Sequence, residues 1–225
     1  MDFVYDFWHY ECACLLSQEA FTEKYRKWCK RRRYNFSQSK AEDVYIESWG
    51  HFNILPKNAS TKMLIREAVT ALNAVSKTAE IFHAEMQRLA ALLPEYDVVM
   101  AMYGAGKATG PQLIAEIGDV RRFSHRGAIV AYAGVDPQPS QSGKQSRGSD
   151  PISRKGSSLL RKTLFTVMEA HLRTSPADEP VFQFIDRRRS EGKPYFVYMT
   201  AGANKFLRIY YARVKEILDK LESHE

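Results

Sequence analysis

The chain is poor in cysteine: three among 225 residues, with Cys12-Ala-Cys14 spaced too tightly for an ordinary disulfide. So sparse and odd a count excludes a disulfide-stapled secreted fold and points to a reducing, cytoplasmic setting. Cys12, Cys14, Cys29 and His9 fit no standard zinc-ligand spacing. No apolar run approaches the roughly 20 residues that cross a bilayer, so no membrane partner is expected. The opening Met1-Asp-Phe-Val-Tyr-Asp carries acids where a signal peptide carries cations, which argues against export. Strand-like runs are scarce as well. Residues 129–132 and 195–198 are the candidates, and both are short, so a mainly α chain is expected.

What the sequence does hold is a basic, well-packed composition. Hydrophobic residues make up 44% and charged residues 26%, enough for a real core in one or two domains. The net charge is +7 and the sequence pI about 9.2, which favours a polyanionic partner. Residues 1–59 form an aromatic and basic segment ending in the run Lys27-Trp28-Cys29-Lys30-Arg31-Arg32-Arg33-Tyr34. A helix is expected over 17–33, with Phe21, Tyr25 and Trp28 on one side. Its cations and aromatics suit a phosphate backbone with a stacked base, and equally a helix whose rings are core and whose cations face water. A shorter helix is expected over 39–49, and Gly50 and Pro56 then break the chain.

The cleanest periodicity follows. Leu64, Ala68, Leu72, Val75, Ala79, Phe82, Met86, Leu89 and Leu93 advance by 4, 4, 3, 4, 3, 4, 3 and 4 residues. From Ala68 on this is an alternating heptad seam, so residues 60–94 read as one long coiled-coil-like helix. Ser60 or Thr61 is expected to cap it and Pro94 to end it. The seam must meet another helix, in this chain or in a second copy, and so regular a heptad favours homo-oligomerisation (dimer or tetramer) through 64–93.

Residues 95–225 are expected to form a compact helical domain. Within 98–120, Gly104-Ala-Gly106-Lys107 precedes an amphipathic run with Leu113, Ile114 and Ile117. It is not a P-loop, because Ala101 stands where the first glycine belongs and Ala108 replaces the magnesium-binding hydroxyl. A helix-hairpin-helix is the better match, its glycines letting backbone N–H groups meet a DNA phosphate. Pro111 is expected near the start of the second helix. Residues 132–161 then form a serine- and glycine-rich loop set with Lys144, Arg147, Arg154, Lys155 and Arg161. It offers too little apolar surface to offset the entropy of ordering it. Such a loop needs a polyanion or a catalytic reason to exist, and 140–151 is expected to be mobile without nucleic acid. Ser153 or Ser157 is expected to cap the helix that follows, and closing helices over 157–173, 181–189 and 200–221 complete the chain.

The order of these pieces carries a resemblance. The heptad helix leads to Gly104-Ala-Gly106, then Ala115-Glu-Ile-Gly-Asp-Val-Arg-Arg-Phe123 and Ala131-Tyr-Ala-Gly-Val-Asp-Pro137. Gln141-Ser-Gly143, Ile152-Ser-Arg-Lys-Gly156, Leu160-Arg161 and Glu191-Gly-Lys-Pro194 follow. The chain resembles bacterial insertion-sequence transposases of the IS-one-ten family, relatives of the pilin-gene invertases, over essentially its whole length. The resemblance implies a recombinase with two cooperating parts: a nuclease-like domain holding magnesium on acidic residues, and a transposase domain supplying a serine nucleophile. It also implies a guide RNA as partner. Carried over, the nucleophile is Ser142, with Gly143 keeping its turn open. Gly104, Gly106, Lys107, Lys144, Arg147, Arg154, Lys155 and Arg161 are the candidate phosphate and nucleic-acid contacts.

The chain departs from the pattern at its start. No strand set with a leading Asp, and no later Asp-x-x-Asp pair, precedes the heptad helix. A fragment or truncated product lacking the nuclease-like domain is therefore expected, with no cofactor in this chain and magnesium entering only through the missing part. A serine needs a base, a lowered pKa or a metal, and His125 and His171 could approach Ser142 only through folding. Binding without turnover is expected of the isolated chain. The other reading is a non-enzymatic helical DNA- or RNA-binding module that regulates a full-length transposase by mixed oligomers.

Overall fold

The computed structural model describes residues 1–50, 54–136, 152–153 and 155–223. These are mainly α, with no β-strand among the described residues. They form two compact units, Met1–Ile81 and Phe82–Glu225.

The first unit opens with two short helices, α1 (Asp2–Asp6) and α2 (Glu11–Cys14), followed by α3 (Gln18–Arg32) and α4 (Gln38–Glu47). Ser17 caps α3 by accepting from the Ala20 amide at 3.2 Å, and Ser37 caps α4 from Lys40 at 3.3 Å. The expected aromatic side of α3 is the core: Phe21, Tyr25 and Trp28 are buried with Phe7, Cys29 and Ala41. The Trp28 indole donates to Asp6 Oδ2 at 2.8 Å, and the Arg32 guanidinium meets the same oxygen at 2.8 Å. Burial alone would raise the Asp6 pKa. The Arg32 and Trp28 hydrogen bonds outweigh it and hold the carboxyl below its usual range.

The long helix α5 (Ala59–Ala90) begins five residues ahead of the first seam residue, Leu64, and its cap differs from expectation. Asn58 Oδ1 accepts from the Thr61 amide at 2.9 Å, an Asx cap just ahead of the two hydroxyl residues. The helix stops four residues short of Pro94 and leaves by a turn. Among the described residues its seam is largely uncovered, with Leu64 56%, Val75 66% and Phe82 69% exposed.

The second unit carries α6 (Tyr96–Met100), α7 (Thr109–Ile117), a 3-10 turn at Val120–Arg122, and α8 (Arg126–Ala133). It continues with α9 (Ser158–Thr174), α10 (Pro180–Ser190) and α11 (Tyr195–Glu222). Its core is largely aliphatic, with Leu113, Ile117, Ile129, Leu160, Leu164, Met168, Ile185 and Leu207 fully buried around α11. Two expectations fail here. Residues 129–132 are not a strand but the body of α8, and 195–198 are the first turn of α11. Short apolar runs are compatible with either state, and packing decides between them. The His125 ring accepts from the Gly127 amide at 3.0 Å and starts α8, while Pro194 stands at the start of α11. Helix α7 begins at Thr109, two residues ahead of Pro111.

Candidate functional site

Ser142, Gly143, Lys144, Arg147 and Arg154 lie outside the described residues. What is described is the frame from which their segment leaves and to which it returns. Gly134 ends α8 in the left-handed region at φ +66. Two residues on, Asp136 is joined to Ser153 twice. Its carbonyl accepts the Ser153 amide at 3.0 Å, and its carboxylate accepts the Ser153 hydroxyl at 2.6 Å.

Further along, the Ser157 amide donates to the Tyr132 carbonyl at 2.7 Å. The Ser157 hydroxyl caps α9 by accepting from Leu160 at 3.1 Å, and it also meets Glu116 Oε2 at 3.3 Å. The Tyr132 hydroxyl donates to the Glu116 carbonyl at 3.3 Å. Arg161 Nη1 donates to the Ala133 carbonyl at 3.0 Å, placing a cation at the C-terminal end of α8 where the helix dipole favours one. Gly156 lies against this join. A Cβ there would sit 1.9 Å from the Tyr132 carbonyl oxygen and 2.6 Å from the Gly134 amide nitrogen. The clash is backbone against backbone, so no side chain fits.

Lys155 is exposed beside this frame, and Arg161 is half-buried within it. Asp136, Glu116 and Tyr132 are the members that sequence reasoning missed. Glu116 and Ser157 are 41 residues apart, and no local pattern announces that pairing.

The turn between α6 and α7 forms a second region. Gly104 has φ +82, and a Cβ on it would meet Val167 Cγ1 at 2.7 Å, so both conformation and space demand glycine there. Gly106 plays a different part. Its amide donates to Thr109 Oγ1 at 2.8 Å, and that hydroxyl in turn donates to the Gly104 carbonyl at 2.8 Å. Thr109 therefore satisfies the Gly106 N–H from within the turn. The spacing of a hydroxyl three residues after a glycine was the signal for it.

An open cavity of about 690 Å³ lies between this turn and α9. Lys107, Thr109, Thr166, Glu169 and Arg173 are among its lining residues. Beneath it His171 is fully buried, with Nδ1 2.8 Å from the Val167 carbonyl and Nε2 3.2 Å from Glu179 Oε2. His125 is likewise spoken for as the α8 cap. Among the described residues no three His, Cys, Asp or Glu side chains lie close enough to share a metal ion.

Both regions fall inside one match to known proteins. Residues 96–183 match the model of the transposase IS116/IS110/IS902 family. The frame around 132–161 and the turn at 104–109 both belong to this stretch, which is similar to that family's transposase domain.

Relatives extend the likeness beyond it. The pilin gene-inverting protein of Moraxella bovis is 29% identical over 181 residues, which is 80% of this chain and 51% of the relative. The protein of the same name from Moraxella lacunata is 28% identical over 181 residues, with the same coverage of 80% and 51%. An uncharacterized 42 kDa protein of insertion element IS900 from Mycobacterium paratuberculosis is 26% identical over 121 residues, 53% of this chain and 29% of the relative. The chain spans about half the length of the pilin gene-inverting proteins it matches.

Proposed function

We propose that this chain is the transposase portion of a DNA recombinase and that Ser142 is its nucleophile. The observation that supports this most directly is the double join of Asp136 to Ser153 within the stretch that matches the transposase family. It ties the residue that follows α8 by three positions to the one that precedes α9 by five. In the reaction, Ser142 Oγ attacks a DNA phosphorus and forms a phosphoserine ester. The P–O bond to the departing strand breaks, and the leaving deoxyribose oxygen takes up a proton. Strand exchange is the reverse attack by a new DNA hydroxyl, which releases the serine.

Arg147, Arg154, Lys155 and Arg161 balance the charge on the phosphoryl oxygens, the arginine fork suiting bidentate contact. Gly143 opens the turn and Lys144 meets the backbone. At the second region Lys107 brings charge to a phosphate beside the Gly104 and Gly106 turn, the part of a helix-hairpin-helix reading that survives occupation of the Gly106 amide. Residues to hold magnesium are not among those described, so no step here runs through a metal; an acidic nuclease-like domain would supply it.

Guide RNA and a second copy of the chain are the further partners in this reading. The exposed seam of α5 supports the second copy, since solvent-facing Leu64, Leu72, Val75 and Phe82 at heptad spacing suit a coiled coil. The same exposed seam favours the other reading, a binding module that regulates a complete transposase through mixed oligomers. Covalent trapping separates the two. The chain is incubated on labelled terminal DNA with and without a nuclease-like domain and guide RNA, then run on a denaturing gel. A protein–DNA band that needs Ser142 and vanishes in Ser142→Ala is expected. Tight binding with no band under any condition would establish the module instead.

A further inference from the structure

The basic end of α3 lies outside the stretch that matches the transposase family, and the reaction above gives it no role. Three rings stack there. Tyr25 and Trp28 have centroids 5.7 Å apart at an interplanar angle of 22°, and Trp28 and Tyr34 follow at 5.3 Å and 22°. The stack runs from the core to water: Trp28 is 7% exposed and Tyr34 49%. Tyr34 is not a loose surface ring. Its amide donates to the Cys29 carbonyl at 2.9 Å, closing the helix end, and its hydroxyl donates to Asp2 Oδ2 at 3.1 Å. One ring face is therefore packed on Trp28 while half of the side chain remains in solvent.

A second observation concerns Arg33. It terminates α3 in the left-handed region, at φ 61 and ψ 33. Glycine is the residue that adopts this conformation without steric penalty, and helices most often end on it. A long cation at such a position costs fold stability and points to a use outside the fold. Around Tyr34 the cations outnumber the acids. Asp6 serves the Trp28 indole, Arg32 and Arg31, and Asp2 is shared by Arg32 and the Tyr34 hydroxyl. Arg33 is exposed, with no ion pair among the described residues, and Arg31 is 68% exposed. A fixed aromatic face bordered by the unpaired Arg33 and the exposed Arg31 has the chemistry that binds a single strand: the base stacks and the flanking phosphates meet the cations.

We propose that Tyr34, with Arg33 and Arg31, forms a stacking platform for one base of single-stranded nucleic acid. A duplex does not fit it, because its bases are already stacked on one another. Ser142 plays no part in the platform, which stands or falls independently of the nucleophile.

The test uses the full chain and fluorescence anisotropy with labelled oligomers of about 12 nucleotides, within the usual site sizes of single-strand binders. The probes are oligo-dT, oligo-rU and an abasic oligomer of equal charge. Wild type is expected to bind the base-bearing oligomers more tightly than the abasic one. Tyr34→Ala should weaken the base-bearing probes about tenfold and leave the abasic probe unchanged. Tyr34→Phe keeps the ring and should bind as wild type, and Tyr34→Trp should bind more tightly. The tighter of oligo-dT and oligo-rU identifies the strand as DNA or RNA.

Arg33→Gly separates function from folding. It should melt no lower than wild type yet bind all three probes more weakly, with the salt slope reduced by about 0.7 for one lost phosphate contact. Equal binding of dT and abasic probes by wild type would overturn the platform, as would unchanged dT binding by Tyr34→Ala. An acidic peptide that displaces the oligomer and is itself insensitive to Tyr34→Ala would assign the surface to a protein partner, which also overturns it.

Discussion

The two units bury different kinds of surface and hold it in different ways. In Met1–Ile81 the core is small and mostly aromatic, and its polar edge is tied off, with Asp6 taking the Trp28 indole and two arginines. In Phe82–Glu225 the core is larger and aliphatic, and it closes by backbone approach at Gly156 and at Gly202, whose neighbours are Ile185 and Met168. The Tyr210 hydroxyl there is buried without a hydrogen-bond partner among the described residues, as are Arg188 Nε and, in the first unit, Thr22 Oγ1. Burial pushes the Tyr210 pKa far up, so it stays protonated. A small aromatic core gains specificity from ring geometry and a shared carboxylate. A large aliphatic one gains it from volume, and both leave a buried hydroxyl without a partner among the described residues.

This contrast can be broken experimentally, beginning where backbone meets backbone. Gly156→Ala is expected to destabilise the second unit by about 3 kcal/mol or more, read from a urea midpoint, because neither the Tyr132 carbonyl nor the Gly134 amide can yield. A midpoint near wild type would show that the frame can open. Gly202→Ala is the milder partner. Its Cβ would meet the end of Ile185 at 2.6 Å and the Met168 sulfur at 2.9 Å. These are flexible groups, so about 2 kcal/mol is expected.

In the first unit, Asp6→Ala strips the buried indole N–H of its acceptor and should cost about 1–2 kcal/mol. The exposed arginine pairs add little to that. The same carboxylate also sets a pH dependence. Its folded pKa lies below the ordinary 3.8, so its contribution is present above that value and is lost as pH falls through the lower folded one. An acid titration of wild type should show this loss, and Asp6→Ala should lack it.

Ser157→Ala removes the α9 cap and should cost about 1 kcal/mol in thermal unfolding. The smallest effect has the opposite sign. Tyr210→Phe deletes an unsatisfied hydroxyl and should stabilise by about 0.5 kcal/mol. A clear loss of stability there would reveal a partner for that oxygen.

Much of the helical plan was legible in the residues. The heptad of α5, the aromatic side of α3 and the apolar spacing of α9 and α10 are signals repeated over several turns. Ends were read less well. Asn58 rather than Ser60 or Thr61 starts α5, and α11 begins five residues ahead of the expected 200, at Tyr195. Residues 129–132 show the limit of such reading, since four apolar residues carry no period long enough to tell strand from helix. Of the candidate site, the glycine turn and the family's motif order were visible. The Asp136–Ser153 join and the Glu116–Ser157 contact were not, because each depends on a partner that folding brings into place.

By itself the sequence determined that the chain is mainly α, basic, and laid out in the order of a transposase domain. Periodicity, caps and motif order are local, and a neighbour a few residues away suffices to express them. Only the tertiary structure decided that Trp28 is core while Tyr34 stacks on it from outside. It decided as well that the seam of α5 is exposed among the described residues and that Gly156 is pressed against Tyr132. Burial and close approach are properties of surfaces that meet across long separations in sequence, and no window along the chain contains both sides of such a contact.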